Sequence, residues 1–278
     1  MAFWEANDRL RPAAARSLSA VRNSLTWRHA VFALTIAVYV ALTIAVIAGS
    51  PLDSLDQKVA VLDLHDRYPG WNRFVLDYVM FGQRGPSTFL ALPWFVWVCY
   101  RRRTVAPLIR LGAALFLLNL SVGVVKVTTG RYGPLVTAHA HDVLAGGNIF
   151  PSGHTANAVV LYGVMAMTAT RHRKLMTVAA VWISATVGLS TLYLDTHWFT
   201  DVLGGWLAGA LVLMVLPTFL PPAQRAFDWT LAGGKRLLAR RASRSVRGRS
   251  LGRPAAGDEP DLGAWARLYP QDRNKIAG

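Results

Sequence analysis

The sequence predicts an all-α, polytopic membrane protein: a bundle of six transmembrane helices with both termini in the cytoplasm. Three observations lead there. Of 278 residues, 53% are hydrophobic and only 16% charged, whereas a soluble domain carries about a quarter charged residues. Six apolar runs approach or reach the length that crosses about 30 Å of hydrocarbon as a helix. Basic residues, finally, gather in alternate loops.

The first run, Ala30–Gly49, follows a polar stretch bearing Arg9, Arg11, Arg16, Arg22 and Arg28. It continues to full spanning length, so no cleavable signal peptide is expected. The second, Pro86–Tyr100, is short and ends at Arg101, Arg102 and Arg103. The third, Pro107–Val125, ends at Lys126; the fourth, Thr155–Ala169, is short and precedes Arg171, Arg173 and Lys174. Leu175–Leu194 and Phe199–Leu220 are the fifth and sixth. The opposite loops hold fewer positive charges and many acids, including Asp53, Asp56, Asp63 and Asp66. The positive-inside rule therefore puts both termini in the cytoplasm. An even number of spans requires that agreement.

This divides the chain into a basic N-terminal segment (1–28), a six-helix transmembrane domain (29–220) and a basic, partly disordered cytoplasmic tail (221–278). The tail segment "KRLLARRASRSVRGRS" is expected to fix topology and meet anionic lipid headgroups. No nucleic-acid-binding motif accompanies the charge, so nucleic acid is not an expected partner. Beyond Gly252 the composition is that of disorder. The single cysteine, Cys99, excludes an intrachain disulfide. Trp71, Trp94 and Trp198, near span ends, read as interfacial anchors.

With that orientation, "KVTTGRYGP", "PSGH" and "STLYLDTHWFTD" bring Lys126, Arg131, Ser152, His154, His197 and Asp201 to one membrane face. Ionisable residues at membrane depth are expensive and usually functional. Their types suit phosphate chemistry. Lys126 and Arg131 can hold phosphate oxygens. Ser152 and the amides around Gly153, opening a helix, make an anion cradle. His197 and Asp201 stand four apart and would share a helix face, so the carboxylate can orient the imidazole as nucleophile. His154 remains to protonate a leaving oxygen. The set suits phosphoryl transfer through a phosphohistidine, with fixed cations and a helix end supplying the electrostatics and no metal or other cofactor. Simpler roles compete: a capped helix start for Pro-Ser-Gly-His, and a snorkelling side chain for Lys126. His139, His141 and Asp142 of "AHAHD" suggest a metal site only superficially and read as a polar lip over the pocket.

On these residues the chain resembles the type 2 phosphatidic acid phosphatase superfamily of membrane lipid phosphatases. The family signature is a Lys-led segment ending in Arg-Pro, then Pro-Ser-Gly-His, then Ser-Arg with a downstream His and Asp. Pro151–His154 carries the second part intact, and Ser190, His197 and Asp201 keep the spacing of the third. Lys126 to Pro134 is the first, with Arg131 where many members have an additional arginine. The likeness includes the polar outer-loop segment "LDQKVAVLDLHDRYPGWNRF" and runs from Asp53 to Leu220. It implies hydrolysis of a lipid-linked phosphate or pyrophosphate at the outer leaflet of the cell membrane. His197 would attack, Asp201 orient it and His154 act as acid. Lys126, Arg131, Ser152, Gly153 and Ser190 would hold the substrate.

Two positions depart from the signature: Gly133 and Thr191 stand where the family has arginines on the phosphate. A hydrogen bond to a charged group is worth about 1.5–3 kcal/mol. A dianionic monoester therefore loses more than a monoanionic diester or a neutralised pyrophosphate, which disfavours ordinary phosphatidic acid hydrolysis. Thr191 reads as a packed helix residue rather than a ligand. Two other functions stay open: a phosphotransferase between lipid and alcohol acceptors, and a non-catalytic lipid-binding or translocating relative. The retained His154, His197 and Asp201 weigh against the last.

Overall fold

A computed structural model describes residues 27–251, with side-chain burial as far as residue 232. Among the described residues the regular structure is helical throughout. Helix α1 (Trp27–Ala48) is apolar on every side, with Leu34, Val38 and Ile44 exposed. A helix hydrophobic all round belongs in lipid. Helix α2 (Pro51–Ala60) opens with a capping box: Leu52 N donates to Ser50 Oγ at 3.3 Å, and Ser50 N to Asp53 Oδ2 at 3.1 Å. Then come α3 (Leu64–Arg67), a 3-10 turn (Pro69–Trp71) and α4 (Asn72–Val79). The polar segment expected as an outer loop is thus mostly short helix. The hydroxyls of Tyr78 and Thr186 pair at 2.6 Å, and Tyr193 Oη donates to Tyr68 O at 2.7 Å, tying it to the fifth long helix.

The remaining helices are α5 (Arg84–Arg102), α6 (Ala106–Thr129), α7 (Gly153–Thr168), α8 (Arg173–Tyr193) and α9 (Phe199–Leu251). Every expected apolar run falls essentially within one of the long helices. Four of these, α1, α6, α8 and the Phe199–Ala232 part of α9, are long and apolar enough to cross a membrane. Helix α5 has 19 residues and α7 only 16. The sixth run was expected to stop at Leu220, but α9 continues to Leu251 through Pro221 and Pro222. Prolines remove backbone donors without forbidding a helix, and the Ala-, Leu- and Arg-rich sequence beyond them favours one. From Arg225 the chain is a separate unit. The basic residues before 27 and the expected disorder beyond Gly252 lie outside the described residues.

The core joins α5, α6, α7 and α9, with Phe95, Leu118, Val160 and Leu216 fully buried. Two glycines set how closely α9 approaches α7. A Cβ on Gly205 would lie 2.7 Å from Ser152 O, and one on Gly209 2.6 Å from Val159 Cβ. Small residues four apart let helix backbones meet directly. The start of α9 therefore lies on the start of α7. At the other end of α7, Arg102 Nη2 donates to Thr168 O at 2.5 Å, and Arg110 Nη1 to Thr168 Oγ1 at 3.5 Å.

Candidate active site

The end of α6, the start of α7 and the α8–α9 loop meet in one place. The chain from Gly130 to Pro151 folds back on α6, with Leu144 N donating to Thr129 O at 2.8 Å and Gly147 N to Gly130 O at 2.9 Å. A Cβ on Gly147 would lie 2.1 Å from Arg131 O, so only glycine allows this crossing. Ser152 N then donates to Asp201 O at 2.9 Å, fastening the start of α7 to that of α9. The rings of His154 and His197 face each other edge to face, centroids 6.3 Å apart. Lys126 runs beside Gly153, whose added Cβ would meet Lys126 Cε at 3.7 Å. Its Nζ donates to Asn148 O and, at 3.4 Å, to Ile149 O. Lys126, Gly153, His154 and His197 thus come together as expected from the sequence.

Arg131 does not join them as a phosphate ligand. It is fully buried. Nε and Nη2 donate to Ala140 O at 2.9 and 2.7 Å, Nη1 to Thr200 Oγ1 at 2.8 Å and Asp201 Oδ1 at 2.7 Å. Nη2 also meets Asp56 Oδ2 at 2.6 Å. Asp56 in turn accepts from Thr200 N at 2.8 Å and Thr200 Oγ1 at 2.6 Å. A buried arginine needs such carboxylates, since an unpaired ion away from water costs several kcal/mol or more. Burial pushes the Asp56 carboxyl above its ordinary range, against the pull of Thr200 and Arg131.

The His197–Asp201 pair forms differently from expectation. His197 precedes α9 rather than lying on it. Asp201 Oδ2 accepts from Trp198 N at 2.9 Å and sits 3.5 Å from His197 Nδ1. That nitrogen is buried with no hydrogen-bond partner among the described residues. Ser152 caps α7, its Oγ accepting from Thr155 N at 3.4 Å and Thr155 Oγ1 at 2.9 Å. Ser190 Oγ donates to Thr186 O at 2.8 Å, one turn back along α8.

Trp198 is not an interfacial anchor. It is 2% exposed, its Nε1 donates to Tyr132 O at 2.8 Å, and Arg131 lies over its ring at 5.6 Å. The "AHAHD" residues diverge: His141 Nδ1 lies 3.6 Å from Asp53 Oδ2, and Asp142 accepts from Thr137 Oγ1. His139 lines a cavity of about 560 Å³ with His65, Asp195 and Trp198. Asp63, His65 and Asp195 bring three potential metal-ligand atoms within 4.8 Å of one another. Burial raises the Asp195 carboxyl, opposed by its hydrogen bond from His65. Thr191 is fully buried and donates to Gly188 O at 2.7 Å, a packed helix residue.

Asp56 and Thr200 were missed as site residues. Asp56 looks like any acid of an outer loop, and its partners lie 75 and 144 residues away.

A helical membrane protein with a two-histidine, one-lysine site is the class that fold and geometry define. The comparisons agree. Residues 107–225 match the model of the PAP2 superfamily. Phosphatidylglycerophosphatase B of Bacillus subtilis (strain 168) is 38% identical over 77 residues, 25% of this chain and 38% of that relative. The chain thus matches well under half the length of this curated relative. A crystal structure described as the first transmembrane PAP2 type phosphatidylglycerolphosphate phosphatase from Bacillus subtilis superposes with a TM-score of 0.51. It is 26% identical, and the match covers 68% of this chain and 94% of that one.

Proposed function

We propose that the protein is a membrane lipid phosphatase that hydrolyses a lipid-linked phosphate through a phosphohistidine. The facing imidazoles of His154 and His197, 6.3 Å apart with Lys126 beside them, carry this reading. The His197 Nε2 lone pair forms a bond to phosphorus as the phosphorus–oxygen bond to the lipid breaks. His154 gives its proton to the departing oxygen. Water, deprotonated by the same His154, then displaces His197 and releases inorganic phosphate. Lys126 and the amides opening α7 hold the phosphate oxygens, with Ser152 keeping those amides in place. Asp201 stabilises the imidazolium, its 3.5 Å contact tightening when substrate loads His197.

Six spans with cytoplasmic termini and a site at the outer leaflet fit the same reading: the basic residues Arg102 and Arg110 lie at the end of α7 away from His154. The names of the Bacillus subtilis matches make phosphatidylglycerophosphate the first substrate to try, with phosphatidic acid and polyprenyl pyrophosphate beside it. Purified protein should release inorganic phosphate from one of them, in EDTA as well as without it. Activity that disappears in EDTA and returns with magnesium would sink the mechanism. Transfer of phosphate to an added alcohol in place of release would identify a phosphotransferase.

A further inference from the structure

The family signature puts a lysine and two arginines on the phosphate, yet here the arginine positions hold Gly133 and Thr191, and Arg131 is spent on Asp56 and Asp201. We propose that Arg84, from outside the signature, supplies the second cationic ligand for the substrate phosphate. This rests on the phosphatase reading for the substrate, though not for the location of an anion site.

The turn between α4 and α5 sits directly on the first turn of α7. A Cβ on Gly82 would lie 2.9 Å from His154 O and 3.1 Å from His154 Cβ. Buried Asn157 locks this contact, its Nδ2 donating to Gly82 O and to Ser87 Oγ, both at 3.0 Å. Arg84 lies between those two anchors and is itself exposed. It opens α5, where the helix dipole disfavours a cation. Its Nη1 donates to Asn119 Oδ1 on α6. Asn119 precedes Lys126 by two helical turns on the same face, about 10 Å along the axis. Among the described residues, Arg84 has no carboxylate within salt-bridge distance. Two like charges held near each other, one at the wrong end of a helix, are favourable when a dianion joins them. A planar guanidinium offers a phosphate two parallel donors, a contact Lys126 cannot make.

The test uses full-length protein in detergent, with two readouts: KM and kcat for lipid phosphate hydrolysis, and Kd for inorganic phosphate. Arg84→Gln should raise both KM and phosphate Kd about tenfold or more, the worth of a charge-assisted contact. Its kcat should change far less and its melting temperature should hold. Arg84→Lys should recover part of the loss, keeping the charge without the fork. His197→Ala should lose turnover and still bind phosphate in an Arg84-dependent way. If wild type binds phosphate through Arg84 but hydrolyses no lipid phosphate, the enzymatic reading fails and this site stands. Unchanged KM and Kd in a folded Arg84→Gln protein would overturn the proposal. Should Arg84→Gln not fold, an Arg84→Lys protein with wild-type KM and Kd would overturn it equally.

Discussion

Asp56 shows how a single residue can govern a site it does not touch. It binds Arg131 at 2.6 Å, Arg131 binds Asp201 at 2.7 Å, and Asp201 lies 3.5 Å from the His197 ring. Removing one partner of a buried ion pair leaves the other uncompensated and costs about 3–5 kcal/mol. Asp56→Asn should therefore lower the melting temperature markedly. In the protein that remains folded, kcat should fall more than KM rises, because the nucleophile is misaligned rather than the substrate unbound. A pure loss of stability with wild-type kcat would confine Asp56 to scaffolding. The residues proposed as catalytic were legible as candidates because their types and spacing are local: Pro-Ser-Gly-His is contiguous and His197 stands four from Asp201. Arg131 was misread because an arginine near a phosphate site looks the same in sequence whether it faces the ligand or a buried carboxylate. Only the fold brings Asp56 to it.

Among the elements, the α7–α9 contact decides whether a site exists. Gly205 lies where a Cβ would be 2.7 Å from Ser152 O and 2.8 Å from Thr155 Cβ, the cap of α7 itself. Gly205→Leu should separate the two helix starts and cost at least the 1–3 kcal/mol of an overpacked core, roughly, in stability. A Cβ on Gly112, exposed on α6, would meet nothing within 4 Å, so Gly112→Leu should be silent. Thermal unfolding and phosphate release on both variants check the contrast. The long helices were legible because an apolar run of spanning length has few other solutions. The segment between α1 and α5 was not: α2 to α4 are short, mixed in polarity and held by Tyr78 and Tyr193 against α8, a tertiary cause with no periodic signal. The sixth apolar run lies inside α9, which continues past Leu220 because prolines mark helix ends on average, not in each case.

For the molecule taken whole, the orientation of the site in the membrane turns on which end of α7 is basic. The turn 169–172 follows the end of α7 that Arg102 and Arg110 contact, whereas the candidate site lies at the opposite end of that helix. If the basic end is cytoplasmic, a cysteine at Ala138 should label from outside intact cells and one at Thr170 should not. Outside labelling of Thr170→Cys would turn the site to the cytoplasm. The claim on which everything rests is covalent chemistry at His197. A rapid quench of the protein with phosphorus-labelled lipid phosphate tests it directly. Label should appear on the protein as an acid-labile phosphoramidate at His197 and decay as inorganic phosphate forms, with both phases slowed in His154→Gln, which lacks the acid of the first step and the base of the second. Full turnover by His197→Ala, or hydrolysis with no labelled protein at any time in wild type and His154→Gln alike, would contradict the account.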